Sequence, residues 1–163
     1  MAATPVVLDA AAAGDAVLAD VLNARLPLTW PPEHYDAGVV SHTRDMLHRD
    51  PASAAWTTRF FVSRDPGGSR TLVGVGGYKG SPVNGAVEIG YSIVAEHQRR
   101  GLGSEAARGL VRHAFAQSGV HSVTAQTLPG LTASILVLVG CGFTLVGEGD
   151  EPGVIRYELR RDP

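Results

Sequence analysis

Cysteine is almost missing from this 163-residue chain: Cys141 stands alone, which excludes an intramolecular disulfide and any Cys-x-x-Cys metal site. No uninterrupted apolar stretch approaches the roughly 20 residues of a membrane-spanning helix. The longest run, Ile135 to Val146, is broken by Gly140, Gly142 and Thr144. The opening Met1-Ala2-Ala3-Thr4-Pro5 has no basic group ahead of an apolar stretch, and Asp9 follows, so it does not read as a secretion signal. A surplus of either charge is lacking as well. A net charge of -2 and a pI near 6.3 give no electrostatic reason to expect nucleic acid or an anionic membrane as partner. The six histidines, His34, His42, His48, His97, His113 and His121, include no i, i+4 pair with a carboxylate, so no zinc site is expected. The expected compartment is the cytoplasm.

What is present describes a globular chain. Hydrophobic residues make up 44% and charged residues 18%, with mean hydropathy +0.06. The length suits one domain, residues 1–163, burying roughly 70% of its unfolded surface. The β-branched run Val6 to Leu8 predicts a strand, and Ala10 to Leu22 a helix whose Val17, Leu18, Val21 and Leu22 recur at helical spacing. Pro27 to Pro32 forces a turn, and a second helix is predicted over Glu33 to Arg49, stopping before Asp50-Pro51. Trp56 to Ser63 and Thr71 to Tyr78 are read as a hairpin around Asp65-Pro66-Gly67-Gly68-Ser69. A third strand, Val87 to Val94, precedes a helix over Gly101 to Gln117 and a strand over His121 to Thr127. Leu131 to Val139 is a helix or a buried strand, and Phe143 to Val146 and Val154 to Leu159 close the chain as strands. This order predicts an α/β fold with a mixed sheet and helices on its faces.

Gln98-Arg99-Arg100-Gly101-Leu102-Gly103-Ser104 joins a strand to a helix start, where backbone N–H groups lack intrahelical partners. Two glycines let an anion approach and the helix dipole favours it, which suits a diphosphate; the plainer alternative is a glycine-assisted helix start with solvated arginines. Gly101 to Ala106 also matches G-x-G-x-x-G/A, but polar Glu96 to Arg100 separates it from the strand, and Ser122 to Thr127 lacks the acidic residue of a dinucleotide site. Nor does Gly76-Gly77-Tyr78-Lys79-Gly80 continue into the Gly-Lys-Ser/Thr of a phosphate loop.

The strand Val87-Glu88-Ile89-Gly90-Tyr91-Ser92-Ile93-Val94, followed by Gln98-Arg99-Arg100-Gly101-Leu102-Gly103, resembles the GNAT superfamily of acyl-CoA-dependent N-acyltransferases, with its signature Q/R-x-x-G-x-G/A. Glu88 to Tyr91, Ser104-Glu105-Ala106, Ala133-Ser134, Gly142-Phe143 and Trp30-Pro31-Pro32 look like the ribosomal-protein N-terminal acetyltransferase branch. The resemblance implies a mostly antiparallel sheet splayed at the cofactor site, and acetyl-CoA as cosubstrate without a metal. It implies that Gln98, Arg99, Arg100, Gly101, Leu102, Gly103 and Ser104 hold the diphosphate, that Tyr91, Ser92 and Ile93 line the pantetheine arm, and that the Tyr91 N–H stabilises the thioester oxygen. It also places Ser134 near the CoA sulfur as a proton donor, with an ordinary helix serine as the alternative.

Transfer to an amine needs a base, for which Glu88 is the candidate, sharing a strand face with Gly90 and Ser92; a solvated or ion-paired glutamate is the alternative. The expected activity is acetyl transfer to a primary amine, on a protein N-terminus or a small molecule, by direct attack in a ternary complex. A non-catalytic acyl-CoA-binding module is the rival from another class. Leu131 stands where the pattern expects asparagine, and Leu136, Val139 and Gly140 stand where it is mostly polar. A helix over this segment has almost no polar face, which predicts a homodimer through Leu136 and Val139, the rival being a segment covered on both sides within one chain. Trp30, Tyr35 and Trp56 are candidate liners of the acceptor pocket, Trp56 with core packing as its default. Cys141 reads as a buried inert thiol.

Overall fold

The computed structural model describes residues 1–33 and 35–161. His34, within the expected second helix, lies outside the described residues. The N-terminal segment departs from expectation. Val6–Leu8 is helical, because Thr4 accepts a bond from the Val7 N–H (3.4 Å) and Pro5 sits in the first turn, where its missing N–H costs nothing, giving α1 (Pro5–Ala13). These start signals outweigh β-branched propensity. Gly14, at φ +127°, ends α1 and α2 (Asp15–Leu22) begins at once, so the single expected helix is two. The helix expected from Glu33 begins instead at Ala37, because the Asp36 carboxylate caps the N–H groups of Gly38 (2.8 Å) and Val39 (3.2 Å), giving α3 (Ala37–Arg49). A 3₁₀ turn, Pro51–Trp56, then takes Trp56 out of the strand it was expected to open.

The strands β1 (Thr58–Arg64) and β2 (Arg70–Tyr78) form the expected hairpin, and β3 (Ala86–Ile93) lies antiparallel to β2. Then come α4 (Leu102–Phe115), β4 (Ser122–Thr127), α5 (Thr132–Gly140), β5 (Thr144–Glu148) and β6 (Ile155–Arg160). The Leu131–Val139 ambiguity is thereby resolved as a helix. The six-stranded sheet has the order β1-β2-β3-β4-β6-β5, and only β3 and β4 are parallel.

Two apolar clusters cover opposite faces of this sheet. Leu8, Leu18 and Leu22 of α1 and α2 pack with Phe60 and Leu72 on one face; Leu110 of α4 and Leu138 of α5 pack with Val87, Ile89 and Val123 on the other. Trp30, partly buried, and Tyr35, buried, pack with the first cluster around Phe60, at ring-centroid distances of 6.2 and 5.9 Å. Trp56 packs on Tyr78 and His113. The first cluster stops at β2. Because Ser92 registers with Val75 of that cluster, the even residues of β3 share its face, yet beyond it the sheet presents Glu88, Gln126 and Arg156.

Among the residues of α5, Leu138 alone is fully buried; Leu136 is 66% and Val139 55% exposed. The reading of this segment as covered on both sides within one chain is therefore overturned. A nine-residue helix resting on one sheet face cannot bury its whole circumference.

Candidate active site

The pairing of β3 with β4 runs from Ala86↔Ser122 to Ile89↔Ala125 and stops, although β3 continues to Ile93. Gln126 and Thr127 of β4 pair with Arg156 and Ile155 of β6. The two parallel strands thus part after Ile89, opening a slot between them. Lys79 N–H donates to Glu88 O (3.0 Å) and Val94 N–H to Val73 O (3.0 Å), which fixes the even residues' backbone groups toward β2. Strand alternation then turns the N–H and C=O of Tyr91 and Ile93 into the slot. The Gln98 side chain donates to Ile93 O (2.9 Å) at one end, so the slot is left with the N–H groups of Tyr91 and Ile93 and the Tyr91 carbonyl.

Beyond β3 the chain reaches the glycine turn. Arg99 (φ +59°) and Gly101 (φ +79°) adopt left-handed backbone, and Gly101 is the N-cap of α4 without any side-chain cap. The first helical bond is Glu105 N–H to Gly101 O (3.0 Å), so no capping side chain takes the N–H groups of Leu102, Gly103 and Ser104. A Cβ built on Gly101 meets no atom within 4 Å, whereas one on Gly103 lies 3.5 Å from Val137 and 3.9 Å from Tyr91. The turn is thus open outward and tight inward, where α4, α5 and β3 meet. Arg99 and Arg100 are exposed beside it. An open anion-binding turn contiguous with a slot of unpaired strand backbone fits a diphosphate carrying an extended amide-bearing arm.

The two sides of the slot differ chemically. On the α5 side, burial pushes the Tyr91 phenol up to about 12, opposed by the neighbouring Ser134 hydroxyl and reinforced by Cys141. Ser134 thus sits beside Tyr91 without closing a well-formed hydrogen bond. On the other side, Glu88 accepts from Gln126 Nε2 (2.8 Å) at one carboxylate oxygen and ion-pairs with Lys79 at the other. The Gln126 amide also donates to Asp150 (2.6 Å) and accepts from its backbone N–H (2.7 Å), and Arg156 pairs with Asp150. The Gln126 bond first, and Arg156 second, hold the Asp150 carboxyl below the usual range. A Cβ on Gly90 meets nothing within 4 Å, so space adjoins Glu88 along its own strand face.

Lys79, Gln126, Asp150 and Arg156 were not singled out from the sequence. Strand alternation puts Gln126 and Arg156 on the Glu88 face once the pairing is known, but no sequence motif links them. Leu131 is the N-cap of α5 and supplies no side-chain cap. Cys141 is only partly buried, not the fully buried thiol expected; burial pushes its thiol up, opposed by Arg108, and the thiol is directed at Ser104 O (3.7 Å). His113 rests against Arg59 (2.9 Å) and Ala55 O (3.2 Å). A cleft of about 530 Å³ between β1 and α4 shares Ile93 and Leu102 with the slot but includes neither Glu88 nor Ser134. Among the described residues, no three His, Cys, Asp or Glu side chains converge as a metal site.

The family profile described as Acetyltransferase (GNAT) domain matches residues 6–144. The chain belongs to the GNAT acetyltransferase family. It is 27% identical over 139 residues to an uncharacterized N-acetyltransferase, YjdG, of Bacillus subtilis, covering 85% of this chain and 80% of that one. It is 32% identical over 85 residues to the FsC-acetyl coenzyme A-N(2)-transacetylase of Aspergillus fumigatus, 46% of this chain but only 36% of that enzyme's length. Its fold is that of an Agrobacterium tumefaciens acetyltransferase structure (TM-score 0.61, 22% identity, 78% of this chain and 74% of that one). It is also that of a Vibrio cholerae spermidine N-acetyltransferase variant (TM-score 0.56, 18% identity, 74% and 75% covered).

Proposed function

We propose that the protein transfers an acetyl group from acetyl-CoA to a primary amine, on a protein N-terminus or a small molecule, by direct attack in a ternary complex. The observation that carries this is the parting of β3 and β4 after Ile89↔Ala125, next to an uncapped glycine turn at the start of α4. When bound, acetyl-CoA supplies the activated acetyl thioester. Gln98 to Ser104 hold its diphosphate, chiefly through the N–H groups of the turn. Tyr91, Ser92 and Ile93 flank its arm, with the Tyr91 and Ile93 backbone turned inward. The Tyr91 N–H donates to the oxygen where negative charge develops. Glu88 takes a proton from the amine, and Ser134 gives one to the leaving sulfur, beside a Tyr91 phenol that burial keeps protonated.

The two sides of β3 support the ternary arrangement. Glu88 and the space at Gly90 lie on one face, and the Tyr91 side chain and Ser134 on the other, so acceptor and proton donor reach the slot from opposite sides. The motifs shared with the ribosomal-protein N-terminal acetyltransferase branch support a protein N-terminus as one acceptor class. The deciding experiment pairs thermal shifts by CoA and acetyl-CoA with thiol release in the presence of pooled amines. Amine-dependent thiol release is expected; binding without release would make the chain an acyl-CoA-binding module, the reading that Leu131 favours. Gly101→Val forces a β-branched residue into left-handed backbone and its side chain into the open turn, so CoA affinity should drop while the domain folds. Unchanged affinity would remove the cradle assignment.

A homodimer belongs to the same proposal. Leu136 and Val139 on α5 are more than half exposed, and these apolar side chains suit contact with a second copy. Sedimentation should give a dimer at micromolar concentration that Leu136→Glu with Val139→Lys splits into folded monomers. A wild-type monomer would end this reading.

A further inference from the structure

Lys79 follows the last residue of β2 and lies directly across from Glu88, their strands joined by the Lys79 N–H to Glu88 O bond (3.0 Å). The backbone is therefore fixed while the side chain is not: it is 62% exposed, against 17% for Glu88. Of the two Glu88 carboxylate oxygens, Oε2 is taken by Gln126, whose amide is itself fixed by Asp150 at both ends. That leaves Oε1 for an incoming cation, and Oε1 is where the Lys79 ammonium rests. The Lys79 head group is a primary ammonium, chemically the same as that of a protonated acceptor. The space at Gly90 adjoins it on the same face.

We propose that Lys79 is a resident occupant of the acceptor's ammonium subsite, resting on Glu88 in the free protein and swinging into solvent when a cationic amine takes its place. This rests on Glu88 serving the acceptor, as proposed above. It makes Lys79 a residue that sets how tightly the subsite takes any cationic amine, because an acceptor gains the Glu88 contact only by replacing one of equal charge. No covalent step involves Lys79, and only its side-chain torsions change.

The test titrates spermidine and ethylamine into CoA-loaded wild type, Lys79→Met and Lys79→Arg, and measures KM and kcat for any amine turned over. Lys79→Met should bind amines about two- to fivefold more tightly, the worth of the exposed ion pair it removes. KM should fall by the same factor with kcat little changed. Lys79→Arg keeps a cation on Glu88 and should bind no better than wild type. Equal or weaker binding by Lys79→Met, or gain in both variants alike, would overturn the proposal. Glu88→Gln separates it from the reading beneath: undiminished turnover there would defeat Glu88 as base, whereas loss of turnover with unaltered amine affinity in Lys79→Met would defeat only the role of Lys79.

Discussion

The two faces of β3 carry different work. Odd residues Val87 and Ile89 are buried against α4 and β4, and Tyr91 packs at the edge of that cluster beside α5. Even residues Glu88, Gly90 and Ser92 look onto a face that α1–α3 leave uncovered beyond β2. Packing on one face holds the strand still, and the bare face offers polar groups at positions the packing has fixed. The contrast teaches that one strand can serve as core and as chemistry because alternation keeps the two apart.

The largest effect is expected of Glu88→Gln. Turnover should fall roughly 10²- to 10⁴-fold if Glu88 is the sole base, with CoA affinity retained, read by steady-state kinetics beside CoA titration. Next is Ile89→Ala on the buried face, which removes a side chain only 2% exposed and should cost about 2–5 kcal/mol by denaturant unfolding. If Ile89→Ala proved harmless to stability but abolished turnover, the division between faces would be wrong.

A smaller effect is expected in alkali. Burial pushes the phenols of Tyr78 and Tyr91 up to about 12, so the folded chain holds protons that the unfolded chain loses near pH 10. Their contribution is complete below about pH 10 and is lost as pH rises through about 12, and stability should fall across that window. Tyr91→Phe should flatten the decline measured by denaturant midpoints. The smallest expected effect is Leu131→Asn, which gives α5 the cap it lacks and should stabilise the fold by about 1 kcal/mol. No gain in the unfolding midpoint would mean that the Leu131 side chain contributes packing that offsets the missing cap.

Much of the site was legible as local pattern. Alternation put Glu88, Gly90 and Ser92 on one face, and the spacing of Gly101 and Gly103 before a helix pointed to an anion-binding turn. Gln98 opens the turn proposed to hold the diphosphate, and its side chain holds Ile93 O, a contact no local pattern specifies. Val6 to Leu8 is helical where its pattern predicts a strand, because three β-branched and apolar residues weigh less than a Thr4 cap with Pro5 at the helix start. The late apolar segment was correctly suspected of exceeding its cover, since a helix advances about 100° per residue and its apolar residues left almost no polar face.

The sequence by itself determined the glycine turn, the alternation of β3 and the apolar circumference of α5, because these depend on neighbours within a few residues. Only the tertiary structure decided where β3 and β4 part, that Tyr91 sits beside Ser134, and that Lys79, Gln126, Asp150 and Arg156 gather about Glu88. Those relations join elements far apart in the chain. Strand register, which no local pattern specifies across such distances, brings them together.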